Sequence, residues 1–417
     1  LTFSAVNSRA GTQQFIERFS AYYTPTIVLM AVLLVIILTL VYGWGQFNVA
    51  FNSSLILLVI ACPCALVIST PISIFSAIGN ASRNGVIIKG GKFIEALARV
   101  KVVAMDKTRT LTRGKPVVTD ILPLGENTRE HLLACAAGIE SYSEHPLAQS
   151  IIDAARRENI TPHKAKNFET VPGKGAKADC VVCYDEHHCV GKLKFIQEEH
   201  HVNAEIEALV LDLQLLGKTS ILVTTNREVE GVIAVADELK PDGRRAINDL
   251  HQLGIKTVML TGDNHASAQV VGETLRIGNV HAELLPEDKA QAISSLAAKY
   301  GTVAMVGDGV NDAPALATAD IGISIGAAVS DTAIEASSIT ILNDRLQTIP
   351  YLIKLGRKTV SIIRINTALA VVTKLLFIAL AIVGTSSMAM AIFADVGITV
   401  IVILNSLRLL SFPASEN

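Results

Sequence analysis

The hydrophobic positions of this chain gather at its two ends and leave a polar centre. A bilayer-crossing helix needs about 20 mostly apolar residues. Four stretches supply them: about 25–43, about 49–78 with Pro63 in its middle, about 362–384 and about 388–410. From about 83 to 364 the composition is that of a soluble protein. There the pattern changes to short apolar runs, each ending in a carboxylate. Residues 101–105 (KVVAM) run into Asp106, 257–260 (TVML) into Thr261-Gly262-Asp263, and 302–306 (TVAMV) into Gly307-Asp308-Gly309. A helical pattern such as 288–299 separates the last two. Strands alternating with helices predict a parallel sheet, and in such sheets ligands bind beyond the carboxyl ends of the strands. One site with several carboxylates is expected there. A second unit is inserted at about 117–225. It holds a helical region around 131–159, then short alternating strands around 176–184 and 189–192. No internal repeat or low-complexity tract interrupts the chain.

Composition sharpens this picture. Half of the 417 residues are hydrophobic, too many for an ordinary soluble protein. The formal net charge of −2 gives no basic excess for nucleic acid. The connections 44–48 and 385–388 carry no charge. The opposite ends of the apolar stretches carry Arg9, Arg18, Arg83, Lys89, Lys92, Lys354, Arg357, Lys358, Arg364 and Arg408. Basic residues stay on the cytoplasmic side, so a multi-pass protein with its large soluble region in the cytosol is expected. Leu1 is not an initiator methionine, and no cleavable leader stands at the start. A fragment of a longer protein is therefore expected. Six cysteines in a cytosol-facing membrane protein argue against a disulfide framework and leave thiols for metal binding.

The chemistry sits on the strand ends. In Asp106-Lys107-Thr108-Arg109-Thr110-Leu111-Thr112, a carboxylate after a buried strand can attack a phosphoryl group and form an acyl phosphate. Phosphoryl transfer is mostly positioning and charge neutralisation. Mg²⁺ wants oxygen ligands, and Asp308 and Asp312 of Gly307-Asp308-Gly309-Val310-Asn311-Asp312 are suited to hold it. Lys289 of Pro286-Glu287-Asp288-Lys289 offers a positive charge to the phosphate. Thr261 and Asn311 can donate hydrogen bonds. Any one of these aspartates alone would be read as a helix cap; three in this order would not.

In the second apolar stretch, Pro63 frees a backbone carbonyl between Cys62 and Cys64. Such breaks occur in membranes where they line a cavity or rest on protein. Two thiolates there select soft or borderline ions such as Cu(I) and Zn²⁺, although a kink with two small buried side chains stays open as a plain reading. Lys374 and Asp395 lie within the third and fourth stretches, where ionisable groups are costly and usually functional. A carboxylate near two thiolates suits a divalent ion, and a lysine nearby can occupy the carboxylate once the ion has left.

The run DKTRT at 106–110, TGDN at 261–264 and GDGVNDAPAL at 307–316 resemble the DKTGT, TGD and GDGxNDxPAL motifs of the P-type ATPases. The resemblance covers nearly the whole chain. It implies that Asp106 is the phosphorylated residue, with Lys107, Thr108, Thr261, Asp263, Lys289 and Asn311 as catalytic partners. Asp106, Asp308 and Asp312 would hold Mg²⁺. It also implies a cytosolic α/β haloacid-dehalogenase-like phosphorylation domain (83–116 and 226–345) with an inserted α+β nucleotide-binding domain (117–225). Two transmembrane helices would precede it (1–82) and two follow (346–417). Glu140-Ser141-Tyr142-Ser143-Glu144-His145-Pro146 looks like the SEHP motif of the heavy-metal branch, and Gly173-Lys174-Gly175 like its GxG motif. Glu140 and His145 would contact the adenine of ATP, and Gly173 and Gly175 would let backbone approach the nucleotide.

CPC with a later Lys and DxG resembles the zinc/cadmium/lead-exporting branch. The resemblance implies Cys62, Cys64, Lys374 and Asp395 around the transported ion. Tyr22-Tyr23-Thr24-Pro25 and Asn405-Ser406-Leu407-Arg408-Leu409 read like that branch too. Arg109 departs from the pattern, standing where the family has glycine, and impairment is expected. The actuator domain with its TGE motif, the first transmembrane helices and any N-terminal metal-binding domain are not in the sequence. Cys180-Val181-Val182-Cys183, followed by His187, His188 and Cys189, has metal-like residue types but is read as a hairpin; His200-His201 reads as solvated surface. The expected function is ATP-driven export of Zn²⁺, Cd²⁺ or Pb²⁺. Two rivals stay open: a Cu(I) transporter, and an impaired fragment that only binds metal or regulates. A soluble phosphatase fails on the four membrane spans.

Overall fold

The computed structural model describes residues 11–61, 64–143, 145–171, 174–183, 186–226, 228–309, 312–326, 331–382 and 388–414. In chain order, α1 (Gly11–Tyr42), α2 (Phe47–Ala61) and α3 (Cys64–Arg83) come first. β1 (Val86–Ile88), α4 (Gly91–Arg99) and β2 (Val102–Met105) follow. The inserted run holds β3 (Thr112–Pro123), α5 (Arg129–Glu140), α6 (Pro146–Arg157), β4 (Ala165–Val171), β5 (Gly175–Cys180), β6 (Glu186–Gly191), α7 (Leu193–Glu199), α8 (Ala204–Leu215), β7 (Thr219–Thr224) and β8 (Val229–Leu239). Then come α9 (Gly243–Gln252), β9 (Lys256–Leu260), α10 (His265–Leu275), β10 (Asn279–His281), α11 (Pro286–Tyr300) and β11 (Val303–Gly307). The chain ends with α12 (Ala313–Thr318), β12 (Ile321–Ile325), α13 (Asp331–Ala336), β13 (Ile339–Ile341), α14 (Thr348–Ile382) and α15 (Met388–Leu407). The chain divides into two compact units. One comprises residues 1–103, 293–305 and 309–417; the other comprises 104–292 and 306–308.

The first unit carries the apolar helices. Among the described residues, four spans are long and apolar enough to cross a membrane: Ala21–Val41, Cys64–Arg83, Thr348–Leu380 and Ile392–Ser411. The stretch expected at 49–78 is two helices, one ending at Ala61 and one beginning at Cys64. The third helix starts at Thr348, well before the expected 362. Its first turns carry Lys354, Arg357 and Lys358, which lower the local hydropathy without breaking the helix. Buried Ala65, Ala370, Ile398 and Val402 join α3, α14 and α15 in one cluster, the small alanines letting the backbones approach. Polar ties run alongside: Ser73 donates to the Ser406 hydroxyl at 2.9 Å, Asn366 donates to the same oxygen at 3.0 Å, and Asn80 donates to the Leu410 carbonyl at 2.8 Å. In hydrocarbon, buried polar groups need such partners. At the soluble end of this unit, β13 pairs antiparallel with β1 and parallel with β12.

The second unit contains the inserted lobe and one set of strand ends. The lobe is a six-stranded antiparallel sheet in the order β3-β8-β7-β6-β5-β4. Strand side chains alternate between faces, and here both faces are covered. Ile221, Val223, Ile233 and Val235 meet Leu132, Leu133, Ile139 and Ile151 of α5 and α6. Leu222, Val232 and Ala234 meet Phe195, Ile196, Ile206 and Val210 from α7 and α8. β9 and β10 run parallel.

Candidate functional site

All four residues of β2 are buried. Asp106 follows in extended conformation, φ −70° and ψ 159°, and its N–H donates to the Val306 carbonyl at 2.9 Å. That bond fixes the carboxylate just past the strand, beside the end of β11. Its Oδ1 accepts from Lys289 Nζ at 2.5 Å. Both side chains are nearly inaccessible, at 8% and 7% exposure. A buried ion pair contributes little net stability; its effect here is to aim the Asp106 carboxylate.

Lys107 ties the next strand end to the first. Its ammonium bonds the Asp263 carboxylate, and donates to Ser267 Oγ at 2.5 Å. Thr261 is buried; its N–H donates to the His281 carbonyl at 3.0 Å. Its hydroxyl oxygen accepts from the Asp263 N–H at 3.1 Å, which directs the hydroxyl hydrogen elsewhere. Thr108 lies beside Lys107 with φ −73° and ψ 130°.

Arg109 has φ 56° and ψ −1°, the left-handed region that costs a non-glycine residue roughly 1–2 kcal/mol. Its stem lies across Gly114, where a Cβ would stand 2.3 Å from Arg109 Cγ. Its guanidinium reaches to 4.0 Å from the Asp308 carboxylate while staying mostly exposed. Of the expected acidic set, Asp106 and Asp308 belong to this unit. Asp312, buried ahead of α12, belongs to the first unit, and Asn311 lies outside the described residues.

The lobe has its own cleft, about 640 Å³, lined by Glu140, His145, Lys174, Gly175 and Gly191 among others. Glu140 ends α5, and burial pushes its carboxyl up to about 7, a hydrogen bond from Ser143 working the other way. His145 caps α6: its Nδ1 accepts the Leu147 N–H at 3.1 Å, so in the neutral ring Nε2 carries the hydrogen. The Pro146 that follows occupies the first helical position, where a missing N–H costs nothing. Gly175 is needed for close approach, since a Cβ there would stand 2.2 Å from the Val190 carbonyl oxygen. Gly173 lies outside the described residues. A larger cleft of about 1020 Å³ is lined by Lys107, Thr108, Arg109, Lys218 and Asp263, and it shares Leu147 with the first. Lys218 and Ser267 line the larger cleft. Neither has a sequence signature, because each is brought in by contacts far along the chain.

Glu140 makes a pH prediction. Its folded value of about 7 stands above the ordinary 4.5, so folding binds a proton between these values. Stability is then lost as pH rises from about 4.5 to about 7, by roughly 3 kcal/mol. Glu140→Gln should remove that slope. Thermal melts should find the variant more stable than the parent at pH 8 and equal to it at pH 4; equal melting at both would refute the assignment.

In the membrane unit, Lys374 of α14 donates to Asp395 of α15 at 3.4 Å, both side chains under 20% exposed. Ala370 and Ile398, each about one turn from those residues, share a cluster with Ala65. Cys64, next to Ala65, therefore enters at the same level. Cys64 is disulfide-bonded, where the sequence led us to expect reduced thiols. Cys62 and Pro63 lie outside the described residues. Cys135, Cys180, Cys183 and Cys189 are free.

The haloacid dehalogenase-like hydrolase family matches residues 100–320. The cadmium-transporting ATPase of Staphylococcus aureus is 42% identical over 417 residues, 98% of this chain and 57% of its own length. A copper-exporting P-type ATPase of Staphylococcus saprophyticus is 42% identical over 362 residues, 87% of this chain and 44% of its own. The crystal structure of a zinc-transporting PIB-type ATPase in an E2.Pi state superposes with TM-score 0.85 at 38% identity, covering 95% of this chain and 64% of that one. The chain thus spans somewhat over half the length of the cadmium relative it matches.

Proposed function

The chain belongs to the haloacid dehalogenase-like hydrolases and, within them, to the P-type ATPases, and we propose from that premise that it exports a soft divalent metal ion, Zn²⁺, Cd²⁺ or Pb²⁺, by phosphorylating itself on Asp106. The observation that carries this reading is the buried Asp106–Lys289 pair at a strand end, beside Lys107 bound to Asp263. ATP enters the lobe cleft with its base toward Glu140 and His145, where the Nε2–H of His145 is a donor and Glu140 can donate or accept near neutral pH. The triphosphate runs past Lys218 and Arg109 toward Lys107. An Asp106 oxygen then bonds to the γ-phosphorus, the bond from phosphorus to the ADP oxygen breaks, and ADP leaves with those electrons. Lys289 aims Asp106 for the attack and afterwards faces the phosphate. Thr261 and Asn311 donate to its oxygens.

Asp106 and Asp308 offer oxygen ligands of the kind Mg²⁺ takes, and the ion when bound would neutralise charge on the transferred phosphate. In the membrane, reduced Cys62 and Cys64 with Asp395 hold the cargo ion, and Lys374 takes the Asp395 carboxylate when the ion has gone. Incubation with ATP and Mg²⁺, then mass spectrometry of the acid-quenched chain, tests the reading. Acyl phosphate on Asp106 is expected; phosphate on another residue, or none, overturns it.

Arg109 supports a second reading, in which turnover is impaired. Its guanidinium faces the Asp308 carboxylate and competes with a cation there. Arg109→Gly is expected to raise the phosphorylation rate several-fold and to stabilise the fold by about 1 kcal/mol, since glycine is at ease at this φ. Equal rates and equal melting in both forms would show the arginine to be harmless.

A further inference from the structure

The hairpin expected at 180–189 is present, β5 pairing antiparallel with β6 from Gly175↔Gly191 to Cys180↔Glu186. The residues it places together are more specific than a hairpin requires. His187 turns to Asp179, 2.9 Å away, and Cys189 enters the α7/α8 core. Cys180 and Cys183 turn the other way, toward α5. There they meet Cys135 of that helix and His163, which lies between α6 and β4. His163 Nδ1 stands 3.3 Å from Cys135 Sγ, 3.7 Å from Cys180 Sγ and 3.8 Å from Cys183 Sγ. Cys183 Sγ is 3.6 Å from Cys135 Sγ and 3.0 Å from Cys180 Sγ.

Most of these separations are near those of a tetrahedral metal shell, and the ligand atoms of Cys135, His163, Cys183 and His131 all lie within 4.8 Å of one another. Zn–S bonds of about 2.3 Å and Zn–N bonds of about 2.05 Å at tetrahedral angles put sulfur about 3.8 Å from sulfur and about 3.6 Å from nitrogen. Only the Cys180–Cys183 separation is clearly shorter, and a small side-chain rotation widens it. The spacing Cys180-x-x-Cys183 across a tight turn is that of a structural zinc site.

The backbone holds the shell in place. The His163 N–H donates to the Ala134 carbonyl at 2.9 Å. Gly138 allows this approach, since a Cβ there would stand 2.2 Å from the His163 carbonyl oxygen. Around the four lies a second layer. His131 Nε2 is 3.6 Å from Cys135 Sγ and 3.4 Å from Glu230, and the other Glu230 oxygen is 3.8 Å from buried His188. Four free ligand atoms of the right types, buried or half-buried inside the lobe, have no role in ATP binding or phosphoryl transfer.

We propose that Cys135, Cys180, Cys183 and His163 bind one soft divalent cation, Zn²⁺ or Cd²⁺, inside the inserted lobe and apart from any ion in the membrane. Sulfur and imidazole ligands select this class over Mg²⁺ or Ca²⁺. The ion would join α5, which ends in Glu140, to β5, which begins with Gly175, and so link two walls of the lobe cleft.

The test uses the full chain, reduced and in detergent, with Cd²⁺ as the probe. Cys64→Ser with Asp395→Ala removes the proposed membrane ligands, so a failure there leaves this measurement intact. In that background one equivalent of Cd²⁺ should remain, with the ultraviolet charge-transfer band of cadmium thiolate. Adding Cys180→Ser and Cys183→Ser should weaken this binding roughly 100-fold or more, while nucleotide binding reports that the lobe is folded. Should that variant not fold, reaction of the lobe thiols with a disulfide reagent decides in the unsubstituted lobe. Protection by Cd²⁺ supports the site. Absence of the remaining equivalent, its persistence in the folded Cys180/Cys183 variant, or thiols reacting at the metal-free rate overturns it.

Discussion

Asp106→Asn should abolish acid-stable, hydroxylamine-labile labelling of the chain by ATP. The amide keeps nearly the same shape and can still accept a hydrogen bond from Lys289, so the strand end should stay in place. It cannot form a stable acyl phosphate, and it no longer matches the charge of a lysine that is almost fully buried. Losing a charge-assisted hydrogen bond there should cost about 2 kcal/mol, visible as a lower melting temperature. Nucleotide binding in the lobe should survive, because Glu140 and His145 lie in a separate cleft. The two readouts separate chemistry from folding. Full labelling in a variant that melts and binds nucleotide normally would place the nucleophile at another residue.

Asp395→Ala should weaken Zn²⁺ binding by the reduced membrane region roughly 100-fold and leave Cu(I) binding almost unchanged. With the ion bound, two thiolates and one carboxylate give three negative charges and Lys374 returns one. A divalent ion brings the site to neutrality, whereas Cu(I) leaves it negative in a medium that penalises net charge. Lys374 contacts Asp395, so an ion bound by that carboxylate must displace it; alanine removes both the ligand and the partner of that lysine. The comparison matters because similar chains are named for cadmium and for copper. Titration of reduced protein with both ions decides it. Undiminished Zn²⁺ affinity in the variant, or a parent that prefers Cu(I), would sink the divalent assignment.

Much of the architecture could be read in advance because its signals are local. Apolar runs ending in Asp106, Asp263 and Asp308 need only a few consecutive residues, and β2, β9 and β11 stand on them within a residue or two. Helix α11 was similarly visible at 288–299. What escaped was set by distance along the chain. Ser267 bonds Lys107 across 160 positions, and Cys135 meets Cys183 across 48; no window of sequence contains both partners. The Cys180/Cys183 pair was visible as a spacing, but its remaining neighbours were not. The early start of α14 was missed for a different reason. Hydropathy marks where lipid begins, whereas helical hydrogen bonding continues past that point.

Helix α14 has 35 residues, about 52 Å of rise, against a hydrocarbon layer about 30 Å thick. The surplus is the turn-rich start where Leu352, Ile353 and Leu355 are buried. There Gly356 lies so close to α4 that a Cβ would stand 2.8 Å from that of Leu97. A thinner or thicker bilayer changes the tilt of a spanning helix at modest cost. Since α14 does not break where it leaves the lipid, a change of tilt swings its outer end against α4. Lipid chain length should thus act on α4 through a single lever, and α14 with Gly356→Leu should lose that grip.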